Sequence, residues 1–205
     1  MSADTIARLK VTLDHVKPAV LRRVEVPFDI LLERLHLTIQ AAMGWTNSHL
    51  YEIRARGVGW STPYPEADWA GDFLDARKAK LADVIEDVGT KTLKYLYDFG
   101  DGWEHTVKLE RLADSEPGVL YPRLIAVSGR CPPEDSGGPW GYAELLEAIK
   151  DPKHERHAEL TEWIGDDFDP DADDAEALTA DVAALAETWS RKATGKRKRR
   201  PDPLS

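Results

Sequence analysis

Residues 95–110, YLYDFGDGWEHTVKLE, constrain this chain more than any other stretch. Leu93, Tyr95, Tyr97 and Phe99 alternate with Thr92, Lys94, Leu96 and Asp98. Beyond the glycines, Trp103, His105, Val107 and Leu109 alternate with Glu104, Thr106, Lys108 and Glu110. Alternation of period two on both sides of a glycine-rich turn is the pattern of an amphipathic hairpin. The apolar sets share one face only if the loop holds an odd number of residues, because a one-residue slip turns an arm over. A loop of Gly100, Asp101 and Gly102 meets that condition, with glycine supplying the positive φ that such turns need. This register sets Asp98 opposite Glu104, a like-charge pair that calls for a cation or a basic partner. It also sets His105 opposite Tyr97 on the apolar face, where the ring needs a hydrogen-bond partner. The segment is either a piece of core with a solvated acidic tip and a satisfied histidine, or an acid–base or metal site.

Around the hairpin the pattern is strand-rich at first and helical later. Strands are expected in IARLKVTLDHV (6–16), LRRVEV (21–26), HLYEIRARG (49–57) and around 120–127. A helix is expected over 29–43, with Asp29 as N-cap and Gly44 as the terminating glycine; Leu32, Leu35, Ile39, Ala42 and Met43 lie on its apolar face and His36 and Gln40 at its margin. Residues 58–80 read as a long surface excursion, and LADVIEDV (81–88) as a short helix. Helices then follow at 142–150, 154–164 and 174–192. The expected class is α+β: a mixed, largely antiparallel sheet with an aromatic hairpin, packed by a helix of the N-terminal half and by C-terminal helices.

Charge is unevenly spread. The net charge is −10, yet the last fifteen residues hold seven Lys and Arg against Asp202 alone, which leaves −16 on residues 1–190. An acidic body repels phosphate backbones, so nucleic-acid contact would fall to the tail, through Lys196, Arg197, Lys198, Arg199 and Arg200. The alternative is a solvated extension drawn to the acidic segment GDDFDPDADDAE (165–176) of its own chain. That segment resembles a calcium loop only superficially, because Ala172 and Leu178 stand where glycine and glutamate are required. A single cysteine, Cys131, excludes an intramolecular disulfide and a multi-cysteine zinc site. No apolar run approaches the ~20 residues of a membrane span, and the expected location is the cytoplasm. Phosphate-loop, dinucleotide and nucleophile-elbow motifs are absent, so no nucleotide cofactor is expected.

Four ordered motifs, LHLTIQAAMGWTNSHLYEI (35–53), YLYDFGDGWEHTVKLE (95–110), CPPEDSGGPWGY (131–142) and DPKHERHAELTEWIGDDFDP (151–170), resemble the plasmid pRiA4b ORF-3-like family. The resemblance covers about residues 5–172. It implies an α+β fold and the company of plasmids and transposable elements, with nucleic acid or another protein of the element as partner, but no reaction. Some members carry a resolvase label, which the acidic body and the lack of a catalytic-serine motif do not support. The family loop often reads CPPEDCGG; this chain has Ser136 there, so a cysteine pair cannot bind metal in it. The expected organisation is a family domain over 1–172, a C-terminal helix over 173–192 and a basic disordered tail over 193–205.

Within these motifs, Asp98, Glu104, His105, Glu134 and Asp135 are the candidate catalytic residues. His49, Asp98, Asp101, His105, His154 and His157 are the candidate ligands for a divalent metal, with His36 and Gln40 also in view. Histidine and carboxylate donors suit zinc or manganese, and a bound water becomes a nucleophile on such an ion. His154 and His157, three apart on an expected helix, can face the same way. Each has a plainer reading: helix-start histidines in solvent, acids of the 131–138 loop capping nearby amides, and Cys131 a small buried residue.

Overall fold

The computed structural model describes residues 5–63, 73–165 and 167–197. The strands are β1 (Thr5–Leu13), β2 (Val20–Pro27), β3 (Tyr51–Ala55), β4 (Val58–Ser61), β5 (Leu74–Asp75), β6 (Thr92–Tyr97), β7 (Trp103–Asp114) and β8 (Arg123–Ser128). The helices are α1 (Leu32–Met43), α2 (Leu81–Val88), α3 (Gly138–Lys150), α4 (His157–Ile164) and α5 (Ala175–Arg197). All strands join one sheet in the order β5-β4-β3-β6-β7-β1-β2-β8, antiparallel except for β4 with β5. The fold is α+β, as the sequence pattern requires.

Alternation builds the core by rows. Tyr51, Tyr97 and Trp103 stand side by side across β3, β6 and β7, and the next row runs Ile53, Tyr95, His105, Leu13 and Val20. All of these are buried on one face, under the helices. α1 lies against β2 and α5, and α5 also covers β8. The opposite face carries the charged partners of the alternation, including Arg8 and Arg123, both paired with Glu25.

Three expectations need correction. The hairpin loop spans residues 98–102 and not 100–102, since Tyr97 pairs with Trp103, Leu96 with Glu104 and Tyr95 with His105. A shift of two residues keeps the parity, so the aromatic face survives while every opposition changes. The reason is Asp98, which leaves the strand at φ 55 and bonds the loop to itself: its Oδ1 accepts from Gly100 N–H (2.9 Å) and its carbonyl from Gly102 N–H (2.7 Å). Asp98 and Glu104 therefore never face each other. Secondly, α1 begins at Leu32 with Leu31 as its N-cap and without a side-chain cap. Its first amides are instead taken by chain carbonyls, Leu32 N–H by Ala79 (2.9 Å) and Glu33 N–H by Ala76 (3.1 Å), so Asp29 has no orphan donor to serve. Thirdly, the segment 58–80 is not all surface excursion: β4 and β5 belong to the sheet, with Trp60, Ser61 and Ala76 buried. Gly44 does end α1 in the left-handed region, at φ 82. α5 runs through Arg197, so the backbone of 193–197 is helical; Lys198, Arg199 and Arg200 lie outside the described residues.

Candidate metal centre

The motifs converge at one end of the sheet. His49 lies just before β3, Asp98 at the end of β6 and Asp135 in the loop before α3. Their nearest nitrogen and carboxylate oxygens all fall within 4.8 Å of one another. His49 Nε2 is 3.2 Å from Asp135 Oδ1 and 3.7 Å from Asp98 Oδ2, yet it is a buried atom with no aligned hydrogen bond among the described residues. Asp98 divides its oxygens: Oδ1 is spent on the backbone amide of Gly100, and Oδ2 is the one near His49. Asp135 is 72% exposed and sits at φ 59, a conformation Asp tolerates better than most residues.

Neighbouring groups set these side chains in place. Tyr97 Oη accepts from the backbone N–H groups of Ser48 (2.9 Å) and His49 (3.3 Å) and donates to Glu134 Oε1. Glu134 Oε2 accepts from the Thr46 backbone N–H (3.1 Å) and from its hydroxyl. Burial alone would raise the Glu134 pKa, but the hydrogen bonds from Thr46 and Tyr97 outweigh it and hold the carboxyl below its usual range. Burial, then the hydrogen bond to Glu134, raises the Tyr97 phenol. The 46–49 segment and the 131–137 loop are thus tied through one phenol and one carboxylate. The hairpin tip is tied to the same loop, because Asp101 Oδ2 accepts from Gly137 N–H (3.0 Å). Gly138, at φ 70, packs so tightly that an added Cβ would lie 2.2 Å from the Asp101 carbonyl oxygen.

The structure sorts the sequence candidates. His49, Asp98 and Asp135 come together, and Asp101 and Glu134 brace them. Glu134 is not a free carboxylate, since both of its oxygens are engaged. Glu104 points to the far side of the sheet, where its Oε2 is 3.5 Å from His15 Nε2. His105 is a core residue: its Nδ1–H is shared between the carbonyls of Trp103 (3.0 Å) and Tyr95 (3.3 Å), and burial pushes its pKa down to about 4. Its Nε2 has no hydrogen-bond partner among the described residues, and its ring packs against Trp45 and Tyr95. His36 is likewise structural, stacked on Tyr51 at 3.6 Å and held by Tyr95 Oη (2.9 Å) and Asn47 Oδ1 (2.6 Å). Gln40 donates to the same Tyr95 hydroxyl (2.8 Å) and accepts from Asn47 N–H (3.1 Å). His154 and His157 serve the α3–α4 junction, the first accepting from Arg156 N–H (3.2 Å) and the second donating to the Ala148 carbonyl (2.7 Å). Cys131 is buried, and burial pushes its thiol up to about 12. The side chains of Lys196 and Arg197, like all of Lys198, Arg199 and Arg200, lie outside the described residues.

Sequence reasoning missed Thr46 and Tyr97. Tyr97 reads as one more core ring, and the signal overlooked was its hydroxyl, a polar end on an apolar face that must find partners.

The same motifs decide the family. A model of the plasmid pRiA4b ORF-3-like protein matches residues 5–177. The chain belongs to the plasmid pRiA4b ORF-3-like family. It is 54% identical over 193 residues to the uncharacterized protein y4hQ of Sinorhizobium fredii (strain NBRC 101917 / NGR234), covering 94% of this chain and 98% of that one. It is similar to a crystal structure of a protein of unknown function, MM3350, from Methanosarcina mazei Go1. That likeness has a TM-score of 0.75 at 36% identity and covers 83% of this chain and 96% of that one. Neither of these two proteins is described with an activity. No helix of the described residues is long and apolar enough to cross a membrane.

Proposed function

We propose that this chain binds one divalent cation between His49, Asp98 and Asp135 and acts as a small metal-assisted hydrolase. The observation that carries the reading is the buried His49 Nε2, with two carboxylates at 3.2 and 3.7 Å and a hydrogen bond to neither. One imidazole and two carboxylates suit a borderline or hard ion such as Zn²⁺ or Mn²⁺. Three protein ligands, one of them exposed, leave coordination positions open, as catalytic rather than structural sites do. When bound, such an ion supplies a water acidic enough to be a nucleophile near neutrality. His49 also borders a cleft of about 320 Å³ lined by Asn47, Ser48, Tyr51 and Thr62, where a substrate can lie beside the ligands. Tyr97 and Glu134 hold the 46–49 segment against the 131–137 loop, and so fix the spacing of His49 to Asp135.

The test is metal content and calorimetric titration of chelator-treated full-length protein with Zn²⁺ and Mn²⁺. One equivalent is expected in the wild type and none in His49→Ala. Wild-type protein that takes up neither ion would remove the reading.

A second reading is contact with nucleic acid or with a protein of the same mobile element, through Lys196, Arg197, Lys198, Arg199 and Arg200. What favours it is the charge of these residues beside a body of −16. Anisotropy of random-sequence duplex and single-stranded DNA, over a salt series, compares the full chain with a truncation at residue 190. Binding that weakens with salt and vanishes on truncation supports tail contact; binding by neither form removes it.

A further inference from the structure

Arg22 is a charge in a row of apolar residues. It lies on the inner face of β2, opposite Val11, between the buried Val20 and Val24, and it is fully buried itself. Its Nε donates to the carbonyl of Ala42 (2.7 Å), one of the last carbonyls of α1. Its Nη1 is shared among the carbonyls of Leu21 (2.9 Å), Ser128 (3.0 Å) and Gly129 (3.1 Å). These bonds hold the guanidinium at the negative end of α1. Nη2 has no partner at all among the described residues. A guanidinium buried without a carboxylate is costly, and its unfilled donors are where an acceptor gains most.

Arg22 lines a cavity of about 330 Å³ between the end of α1, the 130–134 loop and the start of α5. Met43, Trp45, Phe168 and Leu178 give it apolar walls, and Asp167, Asp173, Asp174 and Glu134 bring negative charge to its lining beside a second cation, Arg130. Asp174 is paired with Arg130, while Asp173 Oδ1 accepts from Ala175 N–H (3.2 Å) and its other oxygen takes no hydrogen bond among the described residues. The size falls at the lower end of ligand pockets, roughly 300–1,000 Å³.

We propose that this cavity binds a small zwitterion of the α-amino-acid class. The carboxylate accepts from Arg22 Nη2, the ammonium group faces Asp173, and an apolar side chain packs against Met43, Trp45, Phe168 and Leu178. A phosphate dianion satisfies Arg22 but meets three aspartates; an amine without a carboxylate leaves Nη2 unfilled. The zwitterion alone matches both signs. None of His49, Asp98 and Asp135 lines this cavity, although Glu134, which braces them, does; the proposal stands without the metal.

Isothermal titration of the full-length protein with L-leucine, isocaproate and isoamylamine tests it. Saturable leucine binding is expected, with both analogues weaker, and Arg22→Gln is expected to weaken leucine about 10- to 100-fold, the loss of one charge-assisted hydrogen bond. No binding of millimolar leucine to the wild type overturns the proposal, as does equal binding by Arg22→Gln. Should that variant fail to fold, Asp173→Asn keeps the acceptor for Ala175 N–H and removes the charge. Isocaproate should then bind at least as well as leucine, and an undiminished preference for leucine overturns the zwitterion assignment.

Discussion

Asp98 has two oxygens and two tasks, and substitutions can separate them. Oδ1 closes the hairpin loop on Gly100 N–H, while Oδ2 stands 3.7 Å from His49 Nε2. Asn keeps an acceptor for the amide and tolerates φ 55. Asp98→Asn is therefore expected to unfold within about 0.5 kcal/mol of the wild type in urea, yet to lose metal uptake. Asp98→Ala loses the loop bond as well and pays for a positive φ, and should be about 1–3 kcal/mol less stable. Gly138→Ala probes the brace from the other side. A methyl 2.2 Å from the Asp101 carbonyl oxygen forces the hairpin tip from the 131–138 loop, and a loss of about 2 kcal/mol or more is expected in the same unfolding assay. At this scale the sequence names residues that the fold brings together: His49, Asp98 and Asp135 all stand in its motifs. It does not show that they meet, because they lie on separate segments and no local periodicity relates them. Arg22, a charge at an apolar position of VLRRVEV, did not stand out in the sequence.

At the scale of elements, parity is legible and loop length is not. Side-chain alternation fixes which residues of β6 and β7 are buried, and that holds for loops of three or five residues alike. The choice between them rests on Asp98 leaving the strand in the left-handed region, a decision made by its bonds to Gly100 and Gly102 and by Asp98 N–H donating to the Leu50 carbonyl (2.9 Å). The start of α1 was misread for a similar reason: its amides find carbonyls of the 76–79 segment, which are remote in sequence. The elements also bury two histidines, and this sets a pH dependence. Burial pushes His36 and His105 from 6.5 down to about 4, against the opposing pull of Asn47 and of the Tyr95 and Trp103 carbonyls. Between those values the unfolded chain takes up protons that the folded chain refuses. Stability is thus complete above pH 6.5, falls as the pH drops towards 4, and levels off below for these two groups. From pH 7 to pH 5 the loss should be about 2 kcal/mol per histidine, and urea unfolding of His105→Phe should show about half the wild-type pH dependence.

For the whole molecule the question is what α5 contributes. Read alone, its sequence resembles an appendage between the acidic segment 165–176 and a basic tail. In the fold, Leu178, Val182 and Ala186 are buried, the first two within the common core, and Arg34 of α1 lies over the Trp189 ring at 4.9 Å. Burying one Leu and one Val contributes about 3–6 kcal/mol, a large share of the roughly 5–15 kcal/mol that holds a domain folded. A truncation that ends at residue 172 is therefore expected to unfold at much lower urea than the full chain, by about that amount. It also removes Asp173, Asp174 and Leu178 from the Arg22 cavity. A truncation at residue 190 keeps every one of these contacts and is expected to unfold at the wild-type midpoint. Urea melts of the two truncations beside the full chain check this directly. A 1–172 chain as stable as the full one would show that the core closes without α5. The contrast also makes the 1–190 chain the right reference for tail binding: any DNA contact it loses is a loss of charge and not of fold.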